Sequence, residues 1–371
     1  MIVDDSAVIR GLITRWLSEE ADIVVVGSAG NGALALKQLV RLDPEVLVLD
    51  VEMPEMDGLT ALPKMLGLLP DLKIVMVSTL TARNADVSLR ALAAGAADYV
   101  PKPGTGREMQ GAPNFRADLI AKVRALGQSS RLKSGSRRRN QNSPALPLPP
   151  SGSEAAGGRV RAPQPCAAKV VLRPASRSPA HVLAIGSSTG GPQALFSVLG
   201  ALKGCLELPV LVTQHMPPTF TAILAEHLHR QSGVDCHEAL DGEPVLPGRV
   251  YLAPGDWHMR VQERDGRKYI QLDQEAPENF CRPSVDPMLR SLCRVYGAHV
   301  LAIILTGMGS DGYRGCQAVV EAGGNVIAQD EASSVVWGMP GVVASAGLCS
   351  AVLPLQEIAP AVRRLSVGVA A

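Results

Sequence analysis

The sequence predicts two α/β domains, each built on a mainly parallel sheet, joined by a flexible linker. Three observations carry this reading. Short apolar runs alternate with helical patterns over residues 1–125 and again over 181–371, which is the spacing of βαβ units. Residues 126–180 are instead rich in Ser, Pro, Gly and Arg, a linker composition. Aromatics are only 3% of the 371 residues while apolar residues reach 46%. The cores are therefore aliphatic, as suits helices packed on parallel strands.

In the first domain the runs at 23–26, 46–49, 74–77 and 98–100 read as strands, with residues 1–3 as the tail of another. Helical apolar spacing falls between them at 7–17, 32–42, 58–68, 86–94 and 116–126. In the second domain the strand-like runs lie at 181–185, 209–213, 250–252, 269–272, 300–305 and 325–328, several followed by Gly-rich turns. The linker holds a basic run, Arg137, Arg138 and Arg139. A solvated charge cluster is the simpler reading of it, because short basic runs match nucleic-acid patches too easily.

Composition excludes several classes. A net charge of +1 argues against a globally basic nucleic-acid binder. No stretch approaches the ~20 uninterrupted apolar residues of a membrane span, and MIVDDSAVIR lacks the pattern of a secretory signal. A cytoplasmic protein without membrane insertion is expected. The seven cysteines are scattered, with no C-x-x-C pair, so a zinc site is unsupported.

In an open parallel sheet, sites form beyond the carboxyl ends of the strands. Asp4 and Asp5, Asp50, Ser78 and Lys102 each follow such a run. Three carboxylates in one pocket repel one another unless a divalent cation lies among them. Hard oxygen ligands with open positions suit Mg²⁺, which keeps waters and phosphate oxygens. Asp50 would then accept a phosphoryl group as an aspartyl phosphate. Lys102 would offset the charge, and the Ser78 hydroxyl would report occupancy. A cap or turn role is the simpler reading for any one acid, but a weak one for five residues at successive strand ends.

The stretches VDDS (3–6), LDVEMPEMDG (49–58), MVSTL (76–80) and YVPKP (99–103) resemble a response-regulator receiver domain over residues 1–125. The resemblance implies a (βα)5 fold with strand order 2-1-3-4-5. It implies phosphorylation of Asp50, with Mg²⁺ held by Asp4, Asp5, Asp50 and the Glu52 carbonyl. Ser78 becomes the switch hydroxyl, Lys102 the phosphate-binding lysine, and the Lys102–Pro103 bond cis. Only Met1, Ile2 and Val3 precede the acidic pair, so the first strand reads as truncated, with the natural start expected further upstream.

A second constellation lies in the other domain. The segment GSSTGG (186–191) follows a strand and contains G-x-S-x-G centred on Ser188. That pattern exposes a serine hydroxyl at a strand–turn–helix, although it is weak alone. Serine needs a base at neutral pH. Of seven histidines, His215 ends a buried-looking strand. Asp311, in the Gly-rich turn after the run at 300–305, supplies an orienting carboxylate. A strand-end cap for His215 and a turn former for Asp311 are the bland alternatives. The chain order Ser–His–Asp departs from that of α/β-hydrolases.

The segments AIGSSTGG (184–191), VTQHMPPTF (212–220), YLAPGDWHM (251–259), RPSVDPM (282–288), ILTGMGSDG (304–312) and AQDEASSVVWGMP (328–340) resemble the CheB-type methylesterase family over about 181–360. The resemblance implies a doubly wound α/β domain with Ser188 as nucleophile, His215 as general base and acid, and Asp311 as its partner. Thr189 would support the serine–histidine contact, and the Met308 N–H would be an oxyanion donor. Ser187 stands beside the nucleophile, where alanine is common in the family. The implied activity is hydrolysis of glutamate methyl esters on chemoreceptors, releasing methanol, with deamidation of receptor glutamines and no cofactor for the ester step. The implied phosphodonor is the histidine kinase of a chemotaxis system. Two other classes stay open at this point. One is a response regulator whose output is binding, against which no basic helix-turn-helix pattern follows residue 180. The other is a small-molecule esterase, against which the receiver argues.

Overall fold

The computed structural model describes residues 1–79, 81–103, 113–141, 170–205 and 207–366. The N-terminal domain runs β1 (Ile2–Val3), α1 (Ala7–Ser18), β2 (Ser28–Ala29), α2 (Gly32–Leu42), β3 (Val46–Asp50), α3 (Gly58–Leu68), β4 (Lys73–Thr79), α4 (Ala82–Ala93), β5 (Asp98–Lys102) and α5 (Pro113–Gln141). Its five strands are parallel in the order β2-β1-β3-β4-β5. Helix starts are set by polar caps. Side chains of Ser6, Asn31, Asp57 and Thr81 accept from the N–H of Ile9, Leu34, Thr60 and Asn84, each cap contributing about 1 kcal/mol. The strands are covered on both faces, which explains their unbroken apolar runs. Leu47, Leu49, Ile74 and Met76 face α2 and α3 through Ala35, Leu39, Ala61 and Leu62. Val48, Val75 and Val77 face α1 and α5 through Ile13, Leu17, Leu119 and Val123.

The strand expected at 23–26 is not formed: residues 23–27 have no ladder, and pairing is confined to Ile2↔Ser28 and Val3↔Ala29. The ladder extends only as far as β1 does, and Val24 and Val26 are exposed.

The C-terminal domain contains β6 (Val182–Ser187), α6 (Gly191–Ala201), β7 (Val210–Gln214), α7 (Pro218–Ser232), β8 (Asp235–Glu238), β9 (Arg249–Leu252), β10 (His258–Arg264), β11 (Arg267–Asp273), α8 (Val285–Tyr296), β12 (Val300–Ile304), α9 (Tyr313–Glu321), β13 (Asn325–Gln329), α10 (Met339–Ser345), β14 (Ala351–Leu353) and α11 (Leu355–Ser366). Seven strands form a parallel sheet in the order β14-β13-β12-β6-β7-β9-β8. The run at 269–272 belongs instead to a separate antiparallel hairpin, β10–β11.

The linker expected at 126–180 is shorter at both ends. Helix α5 continues to Gln141, because residues 126–141 hold good helix formers and the first proline follows only at 144. From Val170 the chain lies against the second domain: Arg173 N–H donates to Cys349 O, and Ser176 exchanges hydrogen bonds with Asn325. Residues 142–169 lie outside the described residues.

The two domains pack together through α4, β5 and α5. The Tyr99 and Phe220 rings stack at 4.3 Å. Gln193 Nε2 donates to Leu92 O and Ala96 O at 2.7 and 2.6 Å. His227 Nε2 meets Asp86 Oδ1 at 2.8 Å, and Ser129 Oγ donates to Val335 O at 2.7 Å. No helix among the described residues is long and apolar enough to cross a membrane.

One glycine is decisive for the first domain. A Cβ on Gly58 would lie 2.2 Å from Asp50 O, so α3 can close on the end of β3 only without a side chain there. Gly58→Ala is expected to destabilise this domain by about 1–3 kcal/mol, as overpacking does, and denaturant titration of the full chain measures it.

Candidate functional site

The acidic pocket assembles at the carboxyl ends of β1, β3 and β5. Lys102 Nζ lies 2.8 Å from Asp50 Oδ1 and 3.4 Å from Asp4 Oδ2. Oxygens of Asp4, Asp5 and Asp50 fall within 4.8 Å of one another, with Asp4 and Asp50 buried and Asp5 exposed. Asp50 Oδ1 also accepts the Val51 N–H at 2.8 Å. Burial pushes the Asp50 carboxyl up to about 6, with Lys102 opposing and Asp4 adding to the shift. Lys102 is held above its ordinary value, because the carboxylates outweigh the effect of burial. An all-oxygen set, one ligand open to solvent and a charge the lysine alone does not cancel together fit a hard divalent cation.

Ser78 does not point its hydroxyl at this pocket through a described bond. Its Oγ pairs with Ser88 Oγ of α4 at 2.8 Å, buried. The cis bond expected at Lys102–Pro103 is also not found: the cis peptide among the described residues is Arg282–Pro283.

The second site lies at the carboxyl ends of β6, β7 and β12. Ser188 heads the turn after β6, with its N–H on Thr306 O and its carbonyl bound by Gln214 Nε2. The turn needs its glycines. Gly190 has φ +77, and a Cβ there would meet Val335 at 2.6 Å. Ser187 is fully buried and donates to Gln214 Oε1 at 2.7 Å, which leaves Ser188 as the available hydroxyl.

His215 Nε2 lies 2.8 Å from Asp311 Oδ2. Asp311 is buried, and it also accepts from Val285 N, Asp286 N, Gly312 N, Ser284 Oγ and Asn279 Nδ2. Burial raises the Asp311 carboxyl, but the His215 bond and these donors outweigh it, so it stays below the carboxylate range. Burial works to lower the His215 imidazole, but Asp311 and then Cys281 hold it above its ordinary value. The other ring nitrogen, Nδ1, lies 3.5 Å from Cys281 Sγ. No hydrogen bond joins Ser188 Oγ to His215 among the described residues.

Ser188, His215 and Asp311 are therefore brought to neighbouring strand ends, as expected. Thr189 is a correction: its Oγ1 donates to Asp98 Oδ2 of β5 at 2.6 Å, buried, and so turns to the other domain rather than to the serine–histidine pair. The contact exists because β5 and its neighbours pack on this turn. Met308 sits just past Gly307, whose own Cβ position would lie 3.0 Å from Ser188 Cβ. Its N–H has no backbone acceptor among the described bonds. Sequence reasoning missed Cys281, Asn279, Ser284 and Asp98. Ser284 lay within the RPSVDPM stretch, but no residue-type pattern singled out the others.

Comparison with known proteins gives matches for both domains. Residues 183–362 match the family described as CheB methylesterase, and residues 1–112 match the response regulator receiver domain. A protein-glutamate methylesterase/protein-glutamine glutaminase of Azospirillum brasilense is 57% identical, covering 99% of this chain and 92% of that protein. One named for the group 2 operon of Rhodospirillum centenum is 56% identical over 99% and 93%. Among solved structures, the CheB methylesterase catalytic domain of Thermotoga maritima is 41% identical, with TM-score 0.49, over 50% of this chain and 98% of that one. With a receiver domain upstream and relatives matched over nearly the full length, the chain belongs to the CheB methylesterase family.

Proposed function

We propose that Ser188, His215 and Asp311 carry the reaction of this chemotaxis protein-glutamate methylesterase/protein-glutamine glutaminase, and that phosphorylation of Asp50 regulates it. The observation that carries the reading is the buried Asp311–His215 pair at the strand end next to the turn that presents Ser188. Ser188 Oγ attacks the γ-carbonyl of a glutamate methyl ester on a chemoreceptor. His215 takes the serine proton at Nδ1, the nitrogen Asp311 leaves free, and returns it to the departing methoxide. Methanol leaves, and water repeats the cycle on the acyl-enzyme. With a glutamine amide the same proton goes to departing ammonia. The Met308 N–H stabilises the oxyanion, an effect commonly worth a few kcal/mol. The reading assigns no cofactor to this step.

In the receiver, Asp4, Asp5 and Asp50 would hold Mg²⁺, which shields the charge of the phosphoryl group when bound. The phosphodonor would be the chemotaxis histidine kinase. Two elements tie this pocket to the other domain. β5 carries Lys102 at one end and Asp98, on Thr189, at the other. α4 carries Ser88, on Ser78, and Asp86, on His227. Phosphorylation takes Lys102 from Asp50 and draws in Ser78, which shifts the population away from this closed packing.

Ser188→Ala is expected to abolish methanol release from methylated receptor membranes. Asp311→Asn is expected to lower kcat by a factor on the order of 10²–10⁴. The base works only when neutral, so activity falls as pH drops through the His215 pKa. Removing the Asp311 charge lowers that pKa, so in Asp311→Asn the acid limb of kcat/KM moves to lower pH. A limb that stays in place removes His215 from the role of base.

A small phosphodonor should stimulate wild type and leave Asp50→Ala unchanged. Gln193→Ala, which removes two bonds across the domain contact, should raise unstimulated release and shrink the stimulation. An equal response from Asp50→Ala and wild type sinks the regulatory reading.

A further inference from the structure

Beside the imidazole, on the side of Cys281, the chain makes a turn that local energetics do not favour. Residues 278–281 close it: the Cys281 N–H donates to Glu278 O at 2.9 Å. Both central residues have positive φ, Asn279 at +53° and Phe280 at +63°. That is the pattern of a type I′ turn, which favours Asn followed by Gly. Asn279 obeys the rule. Phe280 occupies the glycine position, where a bulky side chain is a genuine outlier.

The strain gains Phe280 no packing, because its side chain is fully exposed, at 101%. In a chain with only 4 phenylalanines, this one stands in solvent on a strained backbone. It is also held there firmly. Asn279 Nδ2 donates to Asp311 Oδ1 at 2.8 Å and to Asp286 Oδ2 at 2.9 Å. Cys281 Sγ touches His215 Nδ1, and Glu278 pairs with Arg290. The residues flanking Phe280 in sequence are therefore both fixed to the catalytic triad. The next residue, Arg282, binds Asp256, which precedes a second partly exposed aromatic, Trp257. No described hydrogen bond or ion pair of residues 278–282 reaches the receiver, so the receiver does not account for the exposed ring.

Strain kept at a site without a packing return points to function. We propose that Phe280 is a substrate-contact residue: its ring docks on an apolar side chain of the substrate polypeptide beside the modified glutamate and registers that glutamate over Ser188. The occupant is the substrate protein, because the turn is continuous with the catalytic residues and a ring on the rim touches what flanks the reacting group. The proposal rests on the methylesterase reading. It predicts a cost in binding rather than in chemistry, since the ring touches no reacting atom.

The test measures methanol release from methylated receptor membranes by the full chain, comparing wild type, Phe280→Ala, Phe280→Gly and Phe280→Leu. KM is expected to rise about five- to tenfold in the Ala and Gly variants, with kcat within about twofold, and Leu should restore most of the loss. The melting temperature separates contact from scaffold: glycine suits φ +63°, so Phe280→Gly should melt no lower than wild type. Co-sedimentation of Ser188→Ala with the same membranes, with and without Phe280→Ala, reads binding apart from turnover. Weaker binding in the double variant supports the contact even if wild type releases no methanol, a result that would count against the esterase reading alone. Unchanged KM and unchanged co-sedimentation overturn the proposal. So does a fall in kcat with melting temperature, which marks a structural ring, or a change in oligomeric state without a change in KM, which marks a self-association surface.

Discussion

The catalytic domain depends on keeping one buried carboxylate ionised. Asp311 is 2% exposed, and removing an ion from water costs several kcal/mol unless it is paired and hydrogen-bonded. The fold meets that demand with six donors, drawn from β7 by way of His215, from the start of α8, from the turn at Asn279 and from Gly312. Two of them are N–H groups of the first residues of α8, where the helix dipole also favours negative charge. The helix, the strand end and the turn are thereby fixed to one another through a single side chain. The imidazole inherits that position, and its raised pKa is the electrostatic trace of the same carboxylate.

The receiver applies the same economy across a domain boundary. β5 and α4 each present one face to the acidic pocket and another to the catalytic domain. Asp98 is placed on Thr189, next to Ser188, while Lys102 on the same five-residue strand holds Asp50. The contact combines such hydrogen bonds with apolar packing: the Tyr99–Phe220 stack contributes about 0.5–1.5 kcal/mol beyond area burial, and Val335, Val336 and Met308 pack against the receiver cluster around Phe115 and Leu119.

Strand-end chemistry was legible in the sequence because it follows from topology. Parallel runs ending at or just before Asp50, Lys102, Ser188 and His215 have to gather at one edge of each sheet, and Asp311 reaches that edge through the loop after β12. What was hidden depends on contacts without a local pattern. The partner of Thr189 is set by how two separately folded domains meet. The roles of Asn279 and Cys281 come from a turn whose backbone conformation suits Asn279 but contradicts the preference of Phe280, so propensity only half pointed to it. Helix α5 outran its expected end because the composition that reads as linker, rich in Arg and Ser, is helix-compatible until the prolines begin.

The imidazole ties these threads together. Its Nε2 is committed to Asp311, which leaves Nδ1 as the nitrogen open to another partner, and Nδ1 faces the Cys281 thiol. A thiol is a weak donor, so in the mechanism proposed above it gives way readily to the Ser188 hydroxyl. Catalytic hydrogen bonds commonly tighten only when substrate is bound. The turn at 278–281 therefore puts an exposed ring and a contact to the imidazole on adjacent residues: Phe280 faces solvent, and Cys281 faces His215 Nδ1.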